Sequence, residues 1–220
     1  MRYLFYISLL FCLHTSQAQN PVGIFKNHAD VGNPKLAGSA AYVAKDKSYT
    51  LKGSGYNIWF ERDEFHFLFN KIKGDFILTA NFEFVGKGSD PHRKVGWMVR
   101  ESLDKGASHI SAVAHGDGLT VLQWRGAKDA LMRDPQDEAF FPGKNIQIIQ
   151  LERLGKTFTM KVSNIGDRLQ TVGWHTIESM KDEVLAGLFI CSHNEKVVEQ
   201  ARFWNVKIEK PKKKVSKPAP

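Results

Sequence analysis

The sequence has only two cysteines, Cys12 and Cys191. Cys12 lies in an N-terminal segment that has the pattern of a signal peptide. Arg2 supplies a positive start, an apolar run follows, and Ser16 to Ala18 form a small-x-small cleavage site. Cleavage after residue 18 would leave one cysteine. This excludes an intramolecular disulfide and predicts that buried apolar side chains stabilise the fold.

Long apolar runs are also missing. The N-terminal run from Leu4 to Leu13 is too short for a permanent membrane anchor. Phe11 stands before Cys12, where a lipidation site requires a small residue, so we do not expect a lipoprotein. The segmentation predicts a signal peptide at 1–18, one domain at 19–209 and a disordered Lys/Pro-rich tail at 210–220. The chain is therefore expected to be exported, to the periplasm or the medium.

The body of the chain has little excess charge, although the formal net charge is +8. Arg2 and the five lysines of 210–220 account for most of it. Without these six residues, 25 of the 31 Lys and Arg remain against 23 Asp and Glu, which is a net charge of about +2. Nucleic-acid surfaces need clustered cations to contact phosphates. We therefore expect no nucleic-acid partner, and interpret the tail as a solvated end.

Helical periodicity is nearly absent, and alternation of apolar and polar residues takes its place. Residues 65–69 and 76–84 place phenylalanines at every second position, which is typical of strands with one buried face. The turn at 73–75 predicts that these two strands form an antiparallel hairpin. Similar short strands separated by Gly and Asn turns predict an all-β sandwich or jelly roll of two antiparallel sheets. Within it, the polar segment 126–143 is expected to be a flap over one rim.

Four segments together resemble a known family: GSGYNIWFERDEFHFLFNKIKGDF, KVGWMVRESL, VLAGLFICSHN and ARFWNVKIE. They are similar, in this order, to exported bacterial domains with the concanavalin A-like (LamG-like) jelly-roll fold. Asn57 stands where that family often has Asp. The resemblance covers about residues 51–209 and implies a fold and an envelope or secreted setting. Such domains also occur attached to TolB-like β-propellers, and the resemblance supplies no catalytic residues.

The usual catalytic and metal-binding motifs are missing. The nearest match to a jelly-roll glycosidase signature is Glu61-x-Asp63 followed by Glu64, with His66 where a third carboxylate should stand. There is no Gly-x-Ser-x-Gly, no His-Glu-x-x-His and no cysteine pair. We therefore predict no cofactor, no metal and no catalytic residue, and consider Cys191 a buried thiol.

A binding face is the remaining interpretation. Sugar rings stack on flat aromatic side chains, and their hydroxyls pair with Arg, Asn, Gln and His. Trp97 and Trp204 are assigned to the core. Arg100 is the strongest ligand candidate, because a guanidinium on a half-apolar face needs a partner. If alternation holds, seven residues converge on the concave sheet: Trp59, His66, Asn81, Arg100, His115, Gln123 and Trp124.

Three functions remain open at this point. The first is a non-catalytic exported module that binds carbohydrate or another polymer on its concave face. The second is an envelope protein-interaction module that contacts a propeller or membrane complex through the flap and the basic tail. The third is a glycoside hydrolase of the jelly-roll type.

Overall fold

The computed structural model describes residues 20–212. The predicted signal peptide and the tail beyond residue 212 lie outside the described residues. Within 20–212 no helix is long and apolar enough to cross a membrane. The described chain forms sixteen strands, fourteen of them in two seven-stranded antiparallel sheets, so the all-β prediction is confirmed.

The sheet that we name the front sheet carries most of the predicted site residues. In spatial order its strands are β1 (Asn27–Val31), β6 (Phe65–Lys73), β15 (Glu183–Cys191), β8 (Lys94–Arg100), β9 (His109–His115), β10 (Thr120–Arg125) and β11 (Glu138–Phe141). The back sheet contains β14 (Gln170–Thr176), β13 (Thr157–Ser163), β12 (Ile148–Leu154), β7 (Phe76–Val85), β16 (Glu199–Glu209), β3 (Ser48–Gly53) and β2 (Ser39–Val43). Strands β4 (Ile58–Trp59) and β5 (Arg62–Asp63) pair only with each other.

The main core lies between the two sheets. Trp97 and Leu188 of the front sheet are fully buried there against Leu78, Leu151 and Phe203 of the back sheet. A second apolar cluster covers the opposite side of the front sheet and includes Phe65, Phe67, Phe69, Met98 and Phe189. The front sheet is therefore buried on both sides along much of its length.

The predicted hairpin of residues 65–69 and 76–84 is wrong. β6 lies in the front sheet and β7 in the back sheet, so the turn at 73–75 crosses from one sheet to the other. As a result, Phe76 belongs to the main core whereas Phe67 belongs to the second cluster. Alternation identifies the residues that share a face of one strand, but not the sheet that the strand joins.

The assignment of Trp204 to the core is also wrong. The pairing of β16 with β7 shifts between Trp204 and Lys207, and Asn205 has a φ of 50°. Ala201 and Phe203 are buried before this bulge, and Val206 contacts the core after it. Trp204 is only partly buried and lies beside the Arg202 guanidinium. A β-bulge inserts one residue, which reverses the face that later side chains occupy.

The flap at 126–143 is partly a strand, because residues 138–141 form β11 at the edge of the front sheet. The remainder lies against the front of the molecule, where the Met132 backbone N–H donates to the Phe60 carbonyl at 3.1 Å. Met132 is fully buried. The loop therefore supports the hairpin that β4 and β5 form.

Candidate functional site

A hairpin folds over the outer face of the front sheet. Residues 54–64, which we name the front hairpin, leave β3 in the back sheet and enter β6 in the front sheet. Gly55 has a φ of 125°, and a Cβ there would lie 2.0 Å from the Glu64 carbonyl oxygen. Only glycine allows the two arms of this hairpin to approach so closely. Ile58 packs into the second cluster, so the hairpin covers the phenylalanines of β6.

A buried ion-pair cluster holds the front hairpin to the sheet. The Arg125 guanidinium donates to both carboxylate oxygens of Asp63, at 2.7 and 2.8 Å. It also donates to the Phe60 carbonyl at 3.1 Å. Asp63 and Arg125 side chains are 0% exposed. A bidentate pair of this kind has strong geometric preferences, so it fixes the position of the hairpin tip.

Arg100 belongs to the same cluster. Its Nη2 lies 3.5 Å from the Asp63 carboxylate, its Nε donates to the Ser102 carbonyl, and its Nη2 donates to the Asp104 carbonyl. Burial lowers its pKa to about 10, the Asp63 charge opposing that shift. The sequence prediction that this guanidinium needs a partner is correct. The partners come from the chain itself, and the side chain is 0% exposed.

His109 lies beside the cluster and is fully buried. Its Nε2 is 4.0 Å from the nearer Asp63 oxygen, and neither ring nitrogen has a hydrogen-bond partner. Burial, followed by the charges of Arg125 and Arg100, holds its pKa well below the ordinary value. His109 is therefore a neutral imidazole in the native protein.

Three predicted site residues lie elsewhere. Trp124 points into the main core, where its ring stacks on His175 at 4.0 Å between centroids. Asn81 lies in the back sheet, on β7 opposite Ile148. His66 is buried near the edge of the front sheet, and its Nδ1 lies 2.7 Å from the carboxylate of Asp30. The expected convergence of all seven residues on one surface is therefore wrong.

His115, Gln123 and Trp59 lie toward the front. Register places Gln123 opposite Glu138, and its Nε2 donates to that carboxylate at 3.4 Å. The Gln123 Oε1 is buried and has no hydrogen-bond partner within residues 20–212. Trp59 is half-buried near the tip of the front hairpin, edge-on to Phe60. The cross-strand pairing of β10 and β11 also places Phe140, which is 49% exposed, on the same side as Glu138.

Glu138 is a second acid of interest on this side. Its pKa is raised, first by burial and further by a hydrogen bond with Asp134, while the Gln123 amide and the Lys94 charge act in the opposite direction. The carboxyl is thus easier to protonate than an ordinary glutamate.

Lys94 is the residue that the sequence analysis missed. It begins β8, lies opposite His115 on β9, and is 4% exposed. Its Nζ donates to the Asn57 side-chain carbonyl of the front hairpin at 2.6 Å. Alternation along KVGWMVR places Lys94 on the same face as Met98 and Arg100. The sequence therefore already indicated that Lys94 lies on the face to which Arg100 was assigned.

A group of rings lies next to Lys94. The His92 ring is 5.8 Å from that of His115 and 5.5 Å from that of His193, centroid to centroid. The Tyr56 ring stacks on His193 at 6.1 Å, and the Arg62 guanidinium lies over Tyr56 at 4.4 Å. We name Asn57, Lys94, His115, Gln123 and Glu138 the front site, and the rings of Tyr56, His92 and His193 its rim.

The three acids that come nearest to a glycosidase signature are mostly engaged. Asp63 pairs with Arg125, and Glu64 pairs with Arg62 at 2.7 Å and accepts the Tyr56 backbone N–H. Glu61 is exposed. A shallow cavity of about 390 Å³ lies over these residues and also contacts Lys105.

A second cavity, of about 600 Å³, opens at the end of the sandwich beside the β9–β10 turn. Three amide side chains line it, from Asn145, Gln147 and Asn164, together with Phe84 and His115. The buried Oδ1 of Asn164 has no hydrogen-bond partner. His115 therefore lies between this cavity and the front site.

No protein-family model and no curated sequence matches this chain. Solved structures do match. A functionally unknown protein from Saccharomyces cerevisiae aligns with a TM-score of 0.59 and 16% identity over 84% of this chain and 96% of that one. Lectin II from Ulex europaeus aligns with a TM-score of 0.53 and 10% identity, over 86% of this chain and 94% of that one. A family 7 alginate lyase, A1-II', aligns with a TM-score of 0.52 and 9% identity, over 84% of this chain and 94% of that one.

These similarities define the class of fold. The chain is a concanavalin A-like jelly-roll β-sandwich, as its resemblance to that family implied. Identities of this size show the fold alone, because one fold hosts many unrelated activities.

Proposed function

We propose that this chain is an exported, non-catalytic module that binds carbohydrate at the front site. The observation that carries the proposal is the Gln123 Oε1, a buried amide oxygen that has no hydrogen-bond partner among the described residues and lies on the side of the front sheet that faces away from the main core. An unmade hydrogen bond at a buried acceptor is costly, and a sugar hydroxyl supplies the missing donor.

The other members of the site suit the same ligand. The His115 Nδ1 faces the Leu119 carbonyl at 3.2 Å and therefore carries the proton, which leaves Nε2 as an acceptor. Glu138 accepts or donates according to its protonation. The exposed Phe140 ring offers an apolar surface on which a sugar ring can stack. The lectin and lyase neighbours support the proposal only in that proteins of this fold act on saccharides.

Affinity electrophoresis through polysaccharide-containing gels tests the proposal. We expect retardation of the wild type by at least one polysaccharide, and its loss in Gln123→Ala and His115→Ala. Trp174→Ala is the matched control, because Trp174 is 67% exposed on β14 of the back sheet. Arg100→Ala and Trp124→Ala are unsuitable, because Arg100 contacts the buried Asp63 carboxylate and Trp124 packs in the main core, so their loss reports on folding.

A protein-interaction function is the second candidate. Phe60 and Leu131 are each 54% exposed, and the Phe60–Met132 hydrogen bond places them side by side at the hairpin tip. Exposed apolar neighbours of this kind are typical of protein contacts. Under this alternative the chain binds an envelope complex, such as a TolB-like propeller. Pull-down of a purified TolB-like propeller would then depend on Phe60 and Leu131, or on the tail 210–220, and not on Gln123.

The glycoside hydrolase alternative has less support. A raised Glu138 pKa suits a general acid, but its carboxyl neighbour Asp134 is hydrogen-bonded to it. Glycosidases instead hold their two carboxyls about 5 to 9.5 Å apart, across the bond that breaks. Release of reducing ends from a bound polysaccharide, lost in Glu138→Gln, would establish hydrolysis.

A further inference from the structure

Lys94 differs from every other buried cation of the described chain. Five cationic side chains within residues 20–212 are buried: Arg93, Lys94, Arg100, Arg125 and Arg153. Three of the arginines contact a carboxylate, as Arg93 does with Glu199 at 2.8 Å. Arg153 instead donates to three backbone carbonyls. Lys94 makes a single hydrogen bond, to the neutral amide of Asn57.

This arrangement leaves the ammonium group incompletely satisfied. An ammonium group has three N–H donors, and a buried charge is costly unless it is paired and hydrogen-bonded. No carboxylate among the described residues lies within 4 Å of the Lys94 Nζ, so two of its donors lack a protein acceptor. Burial accordingly lowers the Lys94 pKa, against the weaker attraction of Cys191, Asp90, Glu138 and Asp63.

Histidine rings lie beside Lys94, and the carboxylates of Asp90, Glu138 and Asp63 act on it from beyond ion-pair distance. His115 is its cross-strand partner. Burial, and after it the charge of Lys94, lowers the pKa values of both His115 and His193. His92 acts in the same direction on both rings. An anion bound between Lys94 and these rings would pair with the ammonium and favour protonation of the imidazoles.

We propose that Lys94 binds the anionic group of a saccharide, the carboxylate of a uronic acid or a sulfate ester, with His115 as the second contact. This rests on the proposed function and specifies the class of carbohydrate. The Asn57 amide orients the ammonium from the front hairpin, and Gln123 and Glu138 remain for the neutral hydroxyls. An anion at this position favours protonation of His115, so binding takes up a proton and tightens as the pH falls.

Isothermal titration of the full chain with three matched polymers tests the assignment. The polymers are polygalacturonate, the neutral polymer made by reducing its carboxyl groups, and a sulfated galactan. We expect at least one anionic polymer to bind about tenfold or more tightly than the neutral one, which corresponds to one charge-assisted contact. The anionic polymer that binds more tightly identifies carboxylate or sulfate as the preferred group.

Lys94→Met should abolish this preference, so that the anionic and neutral polymers bind with equal affinity. The control Lys207→Met removes an exposed cation on β16 of the back sheet and should leave the preference intact. Because replacing an unpaired buried charge with an apolar group is neutral or stabilising, Lys94→Met should also unfold at an equal or higher urea concentration. This second measurement distinguishes a ligand-binding lysine from one that the fold requires.

Two results would overturn the assignment while leaving carbohydrate binding intact. One is equal affinity of the wild type for the neutral and anionic polymers. The other is an undiminished anionic preference in Lys94→Met. Absence of binding to any polysaccharide would overturn both the assignment and the proposed function.

Discussion

Both carboxylate oxygens of Asp63 accept hydrogen bonds from the Arg125 guanidinium, at 2.8 and 2.7 Å, with both side chains wholly excluded from solvent. Asp63 lies in the front hairpin, and Arg125 lies at the end of β10. This pair therefore determines how the front hairpin lies on the front sheet. The front site, in which we place the ligand, includes Asn57 of the same hairpin.

Removing the Asp63 charge should destabilise the fold strongly. Asp63→Asn leaves Arg100 and Arg125 buried with no carboxylate between them, which costs about 3 to 5 kcal/mol in comparable cases. Asp46→Asn is the matched control, because the Asp46 pair with Arg202 is exposed and such pairs contribute little to stability. Urea unfolding followed by circular dichroism measures both. Equal effects of the two substitutions would show that the buried pair does not hold the hairpin.

Gly55→Ala should displace the front hairpin. The added Cβ meets the Glu64 carbonyl oxygen at 2.0 Å, and the φ of 125° is unfavourable for alanine. We expect a loss of more than about 1 kcal/mol of stability. Gly126→Ala serves as control, since no atom lies within 4 Å of its added Cβ and its φ is ordinary. A Gly55→Ala protein as stable as wild type would contradict the close approach of the two hairpin arms.

The buried, neutral His109 should make the stability of the fold sensitive to acid. The pKa of His109 is well below 6.5 in the native protein, so below that pH the unfolded chain binds a proton that the folded chain does not. The free energy of unfolding should therefore fall as the pH decreases below 6.5, by up to about 1.4 kcal/mol per pH unit for each such histidine. His109→Gln should reduce this slope. Identical slopes for wild type and His109→Gln between pH 7 and 5 would argue against a neutral His109.

Glu138 should give the free energy of unfolding a pH dependence of the opposite sign. The pKa of the folded-state carboxyl is raised above 4.5. Glu138 therefore leaves the free energy of unfolding unchanged below pH 4.5 and lowers it as the pH rises through the folded pKa. Glu138→Gln should therefore gain stability relative to wild type as the pH increases from 4 to 7. Unfolding midpoints at several pH values measure this difference. A difference that is constant over the range would show that burial does not shift Glu138.

The sequence predicted the class of fold and several turns correctly. Glycine turns do separate short strands, as at Gly118 between β9 and β10 and at Gly155 between β12 and β13. Such signals are local, because a positive φ or a tight turn depends on one or two residues.

The site was harder to predict, because it depends on contacts that are distant in sequence. Arg100 needed a partner, but nothing in the sequence indicated that Asp63 would provide it. Trp124 was placed on the outer face although it alternates with Gln123, and only one of the two can face outward. The front hairpin covers one side of β6 and the main core covers the other, so the first half of the strand lacks the polar face that alternation relies on. Lys94, by contrast, was identifiable from its alternation with Arg100.

Mapping the bound ligand on the protein shows whether the front site is the binding surface. An oligosaccharide of the polymer that retards the wild type is titrated into the ¹⁵N-labelled protein, and amide shifts are followed by nuclear magnetic resonance. We predict that the largest shifts occur at residues 56–57, 92–94, 115, 123 and 193, around the front site and its rim. Shifts confined to the back sheet, near Thr159, Trp174 and Trp204, would contradict the account.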